Sequence, residues 1–247
     1  MKKTLTYVLI LLLIPAVTIG GAFVFRGKYH AWLALCAAVL SCLPFFYAFE
    51  RRESTEKEIT ILAVMTAISV AGRIVFFAIP GFKPVTAVII LTAVSFGGEA
   101  GFLVGSLSAL VSNFYFGQGP WTPFQMFAWG FIGFGAGILG GILRKRRWLL
   151  YLYGAMSGVF FSFTMDIWTV LWADGTPKLS VYLAALAAAV PITVEYAVSN
   201  VIFLVLLAAP VIRKLERVRR KEGLFRYGLR GIPEKQYDRK RENETDD

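Results

Sequence analysis

Few side chains in this sequence can do chemistry, and those that can stand in apolar surroundings. Arg73, Asp166 and Glu195 interrupt long hydrophobic runs. At membrane depth each would cost about 2.5–3.5 kcal/mol to insert, so each needs a local reason. Counted upward from the nearest basic clusters at 1.5 Å per residue, Arg73 lies roughly 22 Å and Asp166 roughly 27 Å along their segments. Both therefore fall in the outer half of a membrane, where an Arg/Asp pair can share one aqueous cavity. Asn113, Gln118 and Gln125 reach the same level, among Phe114, Tyr115, Phe116, Trp121, Phe124, Trp129, Trp168 and Trp172. An interfacial aromatic belt accounts for roughly half of these rings. It does not account for their concentration around amides beneath a Gly- and Pro-rich loop, a mixture that suits a pocket for a large organic ligand. Glu195 follows Pro191, with Asn200 further along the same segment, and reads as a structural hydrogen-bonding residue.

Catalytic constellations are missing. His30 is the one histidine, and Cys36 and Cys42 lie in an apolar segment without metal-ligand spacing, as helix-packing residues. No phosphate loop of the Walker type occurs, so ATP hydrolysis must come from partners. Paired broken helices in two repeats, a frequent mark of secondary transporters, are not seen either. No cofactor is expected.

The elements that would position these residues follow from composition. With 57% hydrophobic and 17% charged residues over 247 positions, the chain suits an all-α, polytopic helical bundle in lipid. The formal net charge of +10 would suggest nucleic acid in a soluble protein. Here Lys and Arg flank apolar spans and orient them, and no nucleic-acid partner is expected. Candidate membrane helices cover about 5–25, 30–49, 58–79, 84–97, 100–116, 122–143, 148–172 and 180–212. The run from Leu5 to Phe25 is long enough to span and lacks a convincing cleavage site, so it reads as a helix despite its signal-like start. The span at 84–97 is short, roughly 20 Å, and must be tilted, thin the bilayer or be buried by neighbours. Arg51-Arg52, Arg144 to Arg147 and Arg213 to Lys221 then fall on one side, which places both termini in the cytoplasm of an inner-membrane protein. The loops 80–84, 117–121 and 173–177 face outward. This divides the chain into two N-terminal helices (1–50), a six-helix core (58–212) and a basic tail (213–247), the tail reading as a surface helix that frays into a disordered end and lies on anionic lipid or on a partner.

Small residues recur every fourth position at Gly97, Gly101, Gly105, Ala109 and Asn113, at Gly133, Gly137 and Gly141, and at Gly154, Gly158, Ser162 and Asp166. Such ridges let helix backbones approach closely in lipid, and they read as packing within the chain. The ridge Ala63, Ala67 and Ala71 lies low on its helix, just above the cytoplasmic residues Ser54 to Lys57, where it can equally receive a helix of another protein.

Three stretches resemble a substrate-binding S component of an energy-coupling factor (ECF) vitamin transporter, nearest the cobalamin-specific type: Phe82 to Ala87, Phe96 to Asn113, and Phe116 to Gly130. The resemblance spans about 58–212. It implies an outward vitamin pocket beneath the loops after core helices one, three and five, and with it a substrate-binding set of Arg73, Phe82, Lys83, Asn113, Tyr115, Gln118, Trp121, Phe124, Gln125, Trp129, Asp166 and Trp172. It further implies that Ala63, Ala67 and Ala71 meet a transmembrane coupling protein carrying two ATPases. The two extra N-terminal helices and the basic tail depart from the family plan. Competing readings are a membrane sensor or enzyme using Arg73 and Asp166, and a scaffold held by its small-residue ridges.

Overall fold

In the computed structural model, the described residues are 55–174 and 178–224, together with a few positions between 36 and 47. The predicted helix at 5–25 and most of that at 30–49 lie outside them, as do the loop residues 175–177 and the tail beyond 224. The described chain forms α1 (Glu56–Val75), α2 (Val85–Phe96), α3 (Gly98–Phe116), α4 (Thr122–Ile138), α5 (Gly140–Lys145), α6 (Arg147–Asp174) and α7 (Leu179–Glu222). Three of these, α1, α6 and α7, are long and apolar enough to cross a membrane. The protein is thus a helical membrane bundle.

Two helix boundaries differ from expectation. The predicted span at 122–143 divides at Leu139, whose N–H closes on Gly135 O and Gly137 O before the chain restarts at Gly140. The predicted span at 180–212 continues without a break into the surface helix expected after it, ten residues further to Glu222. At 1.5 Å per residue a 44-residue helix is roughly 66 Å long, about twice the thickness of a bilayer core, and must project beyond it.

The short helix α2 is buried by its neighbours. All 12 of its residues are buried, and α1, α3, α4 and α7 pack around it. Its run of Val, Ile, Leu and Ala supplies no polar face, while Thr92 returns its hydroxyl to Val88 O at 2.8 Å. A single residue, Gly97, joins α2 to α3 with φ 101° and ψ 174°. No atom would obstruct a Cβ there, so the glycine is required by its backbone conformation alone.

Most of the small-residue ridges do what close packing needs. An added Cβ on Gly101 would meet Gly133 O at 2.6 Å, and one on Gly105 would meet the carbonyl carbon of Trp129 at 2.5 Å, so α3 and α4 touch backbone to backbone. On the α6 ridge, Gly158 faces the Ala197 nitrogen of α7 at 2.7 Å, and Ser162 shares a 2.6 Å hydrogen bond with Thr193. Asn200 donates across the same interface to Gly154 O at 3.0 Å. Gly141 is different, with nothing within 4 Å of its Cβ position.

Candidate functional site

The last turn of α1 carries Arg73 into the bundle, where Nη1 donates to Asn113 Oδ1 at 2.9 Å and also to Ser112 Oγ. Its guanidinium lies 4.5 Å from the Phe116 ring centroid and 5.2 Å from that of Trp129. A planar, weakly hydrated cation suits this mixture of aromatic faces and oxygen acceptors. Asn113, 1% exposed, is the hub. Its Nδ2 donates to Thr122 Oγ1 at 2.9 Å and to Gln125 Oε1 at 2.8 Å, so one amide joins α1, α3 and the first turn of α4. The arrangement fills the hydrogen-bonding capacity of the Asn113 side-chain nitrogen.

Aromatic rings continue the site across the bundle. Trp129 stacks on Phe161 of α6 with centroids 5.0 Å apart and planes 11° from parallel. Phe161 in turn meets Tyr196 of α7 edge-on, at 5.4 Å and 86°. Five helices therefore contribute to one connected wall of guanidinium, amides and aromatic rings.

Asp166 does not join Arg73. No ion pair links them, and Asp166 Oδ2 is buried without a hydrogen-bond partner among the described residues. The expected Arg/Asp pair gives way to a neutral one because Ser112 and Asn113 already present oxygens to the guanidinium. Glu195 likewise lacks its expected hydrogen bond among the described residues. Its side chain packs on Gly81, where an added Cβ would lie 2.8 Å from Glu195 Cδ and Cγ. Asn200, one turn away, makes the interhelical bond instead.

The remaining expected site residues divide between the helix interior and the loops. Phe124 is buried against Trp168, with centroids 5.2 Å apart. Phe82 belongs to a packing cluster with Phe76 and Phe203 that seats the first outer loop. Lys83 is committed to the same loop. Its N–H donates to Ser199 Oγ at 2.9 Å, and its ammonium turns back to Ile79 O at 3.0 Å and to Pro80 O. Burial first, and the Arg73 charge second, hold that ammonium below the usual lysine range, with Glu195 opposing. Gln118 braces its own loop, donating to Leu110 O at 2.9 Å and accepting from Thr122 Oγ1 at 3.0 Å. Trp121 is 37% exposed and lies over Gly119, while Tyr115 is 63% exposed and packs edge-on to Phe116. The Trp172 side chain lies outside the described residues. Among the described residues no group of three His, Cys, Asp or Glu is placed to hold a metal ion.

Ser112, Thr122, Phe161 and Tyr196 belong to the wall but were not singled out from the sequence. Ser112 and Thr122 each adjoin a recognised position or begin a helix after a Gly/Pro loop. Tyr196 neighbours Glu195 in an otherwise apolar helix. Phe161 carries no signal beyond its ring.

A buried hub of neutral amides, one guanidinium and stacked rings is thus held between the membrane helices. Comparison with known proteins supplies the class: the family described as "ECF-type riboflavin transporter, S component" matches residues 53–217, and the chain belongs to that family. It is a transporter-component family, so the chain is a substrate-binding membrane subunit and works with an ECF transmembrane and ATPase module. The chain is also 27% identical over 148 residues to the "UPF0397 protein" of Aliivibrio fischeri (strain ATCC 700601 / ES114), covering 53% of this chain and 80% of the relative. A "UPF0397 protein" of Vibrio atlanticus (strain LGP32) is likewise 27% identical over 148 residues, covering 53% of this chain and 81% of that one. No solved structure matches the chain.

Proposed function

We propose that this subunit captures a vitamin bearing a flat heteroaromatic ring on the outer side of the cell membrane, for ATP-driven uptake by a coupling protein with two ATPases. The observation that supports it most is the Trp129–Phe161 stack lying beside the Arg73–Asn113–Gln125 network. Both faces of Trp129 are taken in this structure, by Phe161 and by Arg73, so a conjugated ring would enter by displacing Phe161 from the stack, with the Gln125 amide nitrogen left to donate to its polar edge. An isoalloxazine ring has both features, which agrees with the riboflavin in the family's description. Cobalamin is the second reading, carried by the resemblance of Phe116 to Gly130 to the cobalamin-specific type. Both termini are assigned to the cytoplasm by the distribution of basic clusters.

The partner surface is the ridge of Ala63, Ala67 and Ala71. All three are exposed, as are Val64 and Ile68 beside them, whereas the internal ridges are covered by neighbouring helices. Small residues on an open helix face in lipid suit close approach by a second helix.

The test is to purify the full chain in mild detergent without added ligand and identify by mass spectrometry what remains bound. Recovery of riboflavin or another flavin supports the flat-ring reading, and recovery of a corrinoid replaces it with the second. A preparation that carries no vitamin, and then binds none from a panel, would overturn both.

A further inference from the structure

The cytoplasmic end of α7 carries a basic groove that vitamin capture does not use. Apolar sequence ends at Ile212, and Arg213, Glu216, Arg217 and Arg220 then line a groove of about 420 Å³. Their spacing puts them on one helix face. Arg213, Arg217 and Arg220 are exposed, while Val211, Ile212 and Leu215 pack against the bundle core. The helix is thus amphipathic where it leaves the bilayer, with three guanidinium groups turned away from the protein.

This segment is held in place and is not a free tail. Arg144 of α5 donates to Glu216 at 3.2 Å, which neutralises the one carboxylate in the groove. Lys57 at the start of α1 pairs with Glu222 at 2.5 Å. Arg219 donates to Ser95 O at the end of α2, at 3.2 Å, and Leu224 is buried just past the helix. Three contacts to three helices thereby fix the azimuth of α7, and with it the direction of the groove. Arg146 and Arg147, also exposed, stand in the α5–α6 connection next to Arg144 and raise the positive potential nearby.

We propose that this groove is a binding site for the phosphodiester headgroup of an anionic phospholipid of the inner leaflet. The chemistry is a phosphate oxyanion received by a fork of guanidinium donors, a geometry that favours Arg over Lys. The groove begins one residue beyond the apolar span, where the sequence turns from apolar to basic. General positive-inside attraction would treat every Lys and Arg of the segment alike. The fixed groove does not, since Lys214 and Lys221 belong to the same helix but do not line it.

The test uses the full chain in detergent and native mass spectrometry, with phosphatidylglycerol and phosphatidylcholine as probes. The groove variant is Arg213→Gln, Arg217→Gln and Arg220→Gln together. Its control removes as much charge outside the groove, through Lys145→Gln, Lys214→Gln and Lys221→Gln. The wild type should retain phosphatidylglycerol at least tenfold better than phosphatidylcholine, the control should keep that preference, and the groove variant should lose it. Changing the three arginines to lysine should lower the preference severalfold while leaving the thermal melt unchanged, which separates geometry from folding. Equal loss in groove variant and control, or no preference in the wild type, overturns the proposal. Inorganic phosphate at millimolar concentration should not displace the lipid; if it binds equally well without lipid, the site serves a free anion and the lipid assignment fails.

Discussion

Arg73 donates to Asn113 across 2.9 Å and not to Asp166, whose Oδ2 has no hydrogen-bond partner among the described residues. The last turn of α1 is thereby tied to α3, and the guanidinium charge is balanced by neutral oxygens and two aromatic faces. Asn113→Ala removes the acceptor of Arg73 and the donor of Gln125 and Thr122 together. Leaving buried partners unsatisfied costs about 1–3 kcal/mol, so the variant should melt measurably lower in detergent. Asp166→Asn should leave the melt within a degree or two, because no ion pair is lost. A large loss on Asp166→Asn with little on Asn113→Ala would restore the Arg/Asp pair.

The two tryptophans of the 116–130 region should separate in a binding assay. Trp129 is 5% exposed and stacked between Arg73 and Phe161, whereas Trp121 is 37% exposed and lies over Gly119. Truncating a buried aromatic anchor costs on the order of 2 kcal/mol, about thirtyfold in affinity. Trp129→Ala should show that loss, and Trp121→Ala should change affinity less than threefold. Isothermal titration with the ligand that co-purifies decides between them.

Helix packing and ligand affinity should be coupled at Gly105. Its Cβ position lies 2.5 Å from a Trp129 backbone atom, so Gly105→Ala must push α3 from α4 and carry Trp129 with it. Overpacking of this kind costs about 1–3 kcal/mol. Gly141→Ala meets open space and replaces a helical glycine, so it should be neutral or stabilising by roughly 0.5–1 kcal/mol. Thermal melts of both variants provide the comparison.

Ala67→Trp should leave vitamin binding by the isolated subunit nearly unchanged and abolish uptake in cells that also express the coupling protein and ATPases. A tryptophan on an exposed face disturbs little inside the chain but prevents a second helix from approaching. If binding falls together with uptake, the ridge serves packing within the chain.

Much of this architecture is legible in the sequence because lipid makes composition decisive. Apolar run length gave the helices of the core, and four-residue spacing of Gly marked ridges for packing within the chain, of which those of α3 and α4 prove to face each other. The break at Leu139 was not legible, since Gly140 and Gly141 look like one more step of a small-residue ridge. A surface helix after Ile212 was legible from composition, but its continuity with α7 and its docking were not, since Arg219, Glu216 and Glu222 each find a partner on the bundle. At the site, depth counting brought Arg73, Asn113 and Gln125 to one level. It could not tell which oxygen the guanidinium would take, because azimuth around a helix depends on packing. Lys83 and Gln118 have pocket-like chemistry in sequence and spend it on their own loops.

The most direct test of the account is an equilibrium titration of the purified full chain with riboflavin and with cobalamin, repeated on Arg73→Gln and Gln125→Ala variants whose melts match the wild type. The account predicts saturable binding of riboflavin, weaker or no binding of cobalamin, and at least a tenfold loss of riboflavin affinity in both variants. Unchanged affinity in both would contradict the assignment of the Arg73–Asn113–Gln125 network as the vitamin site.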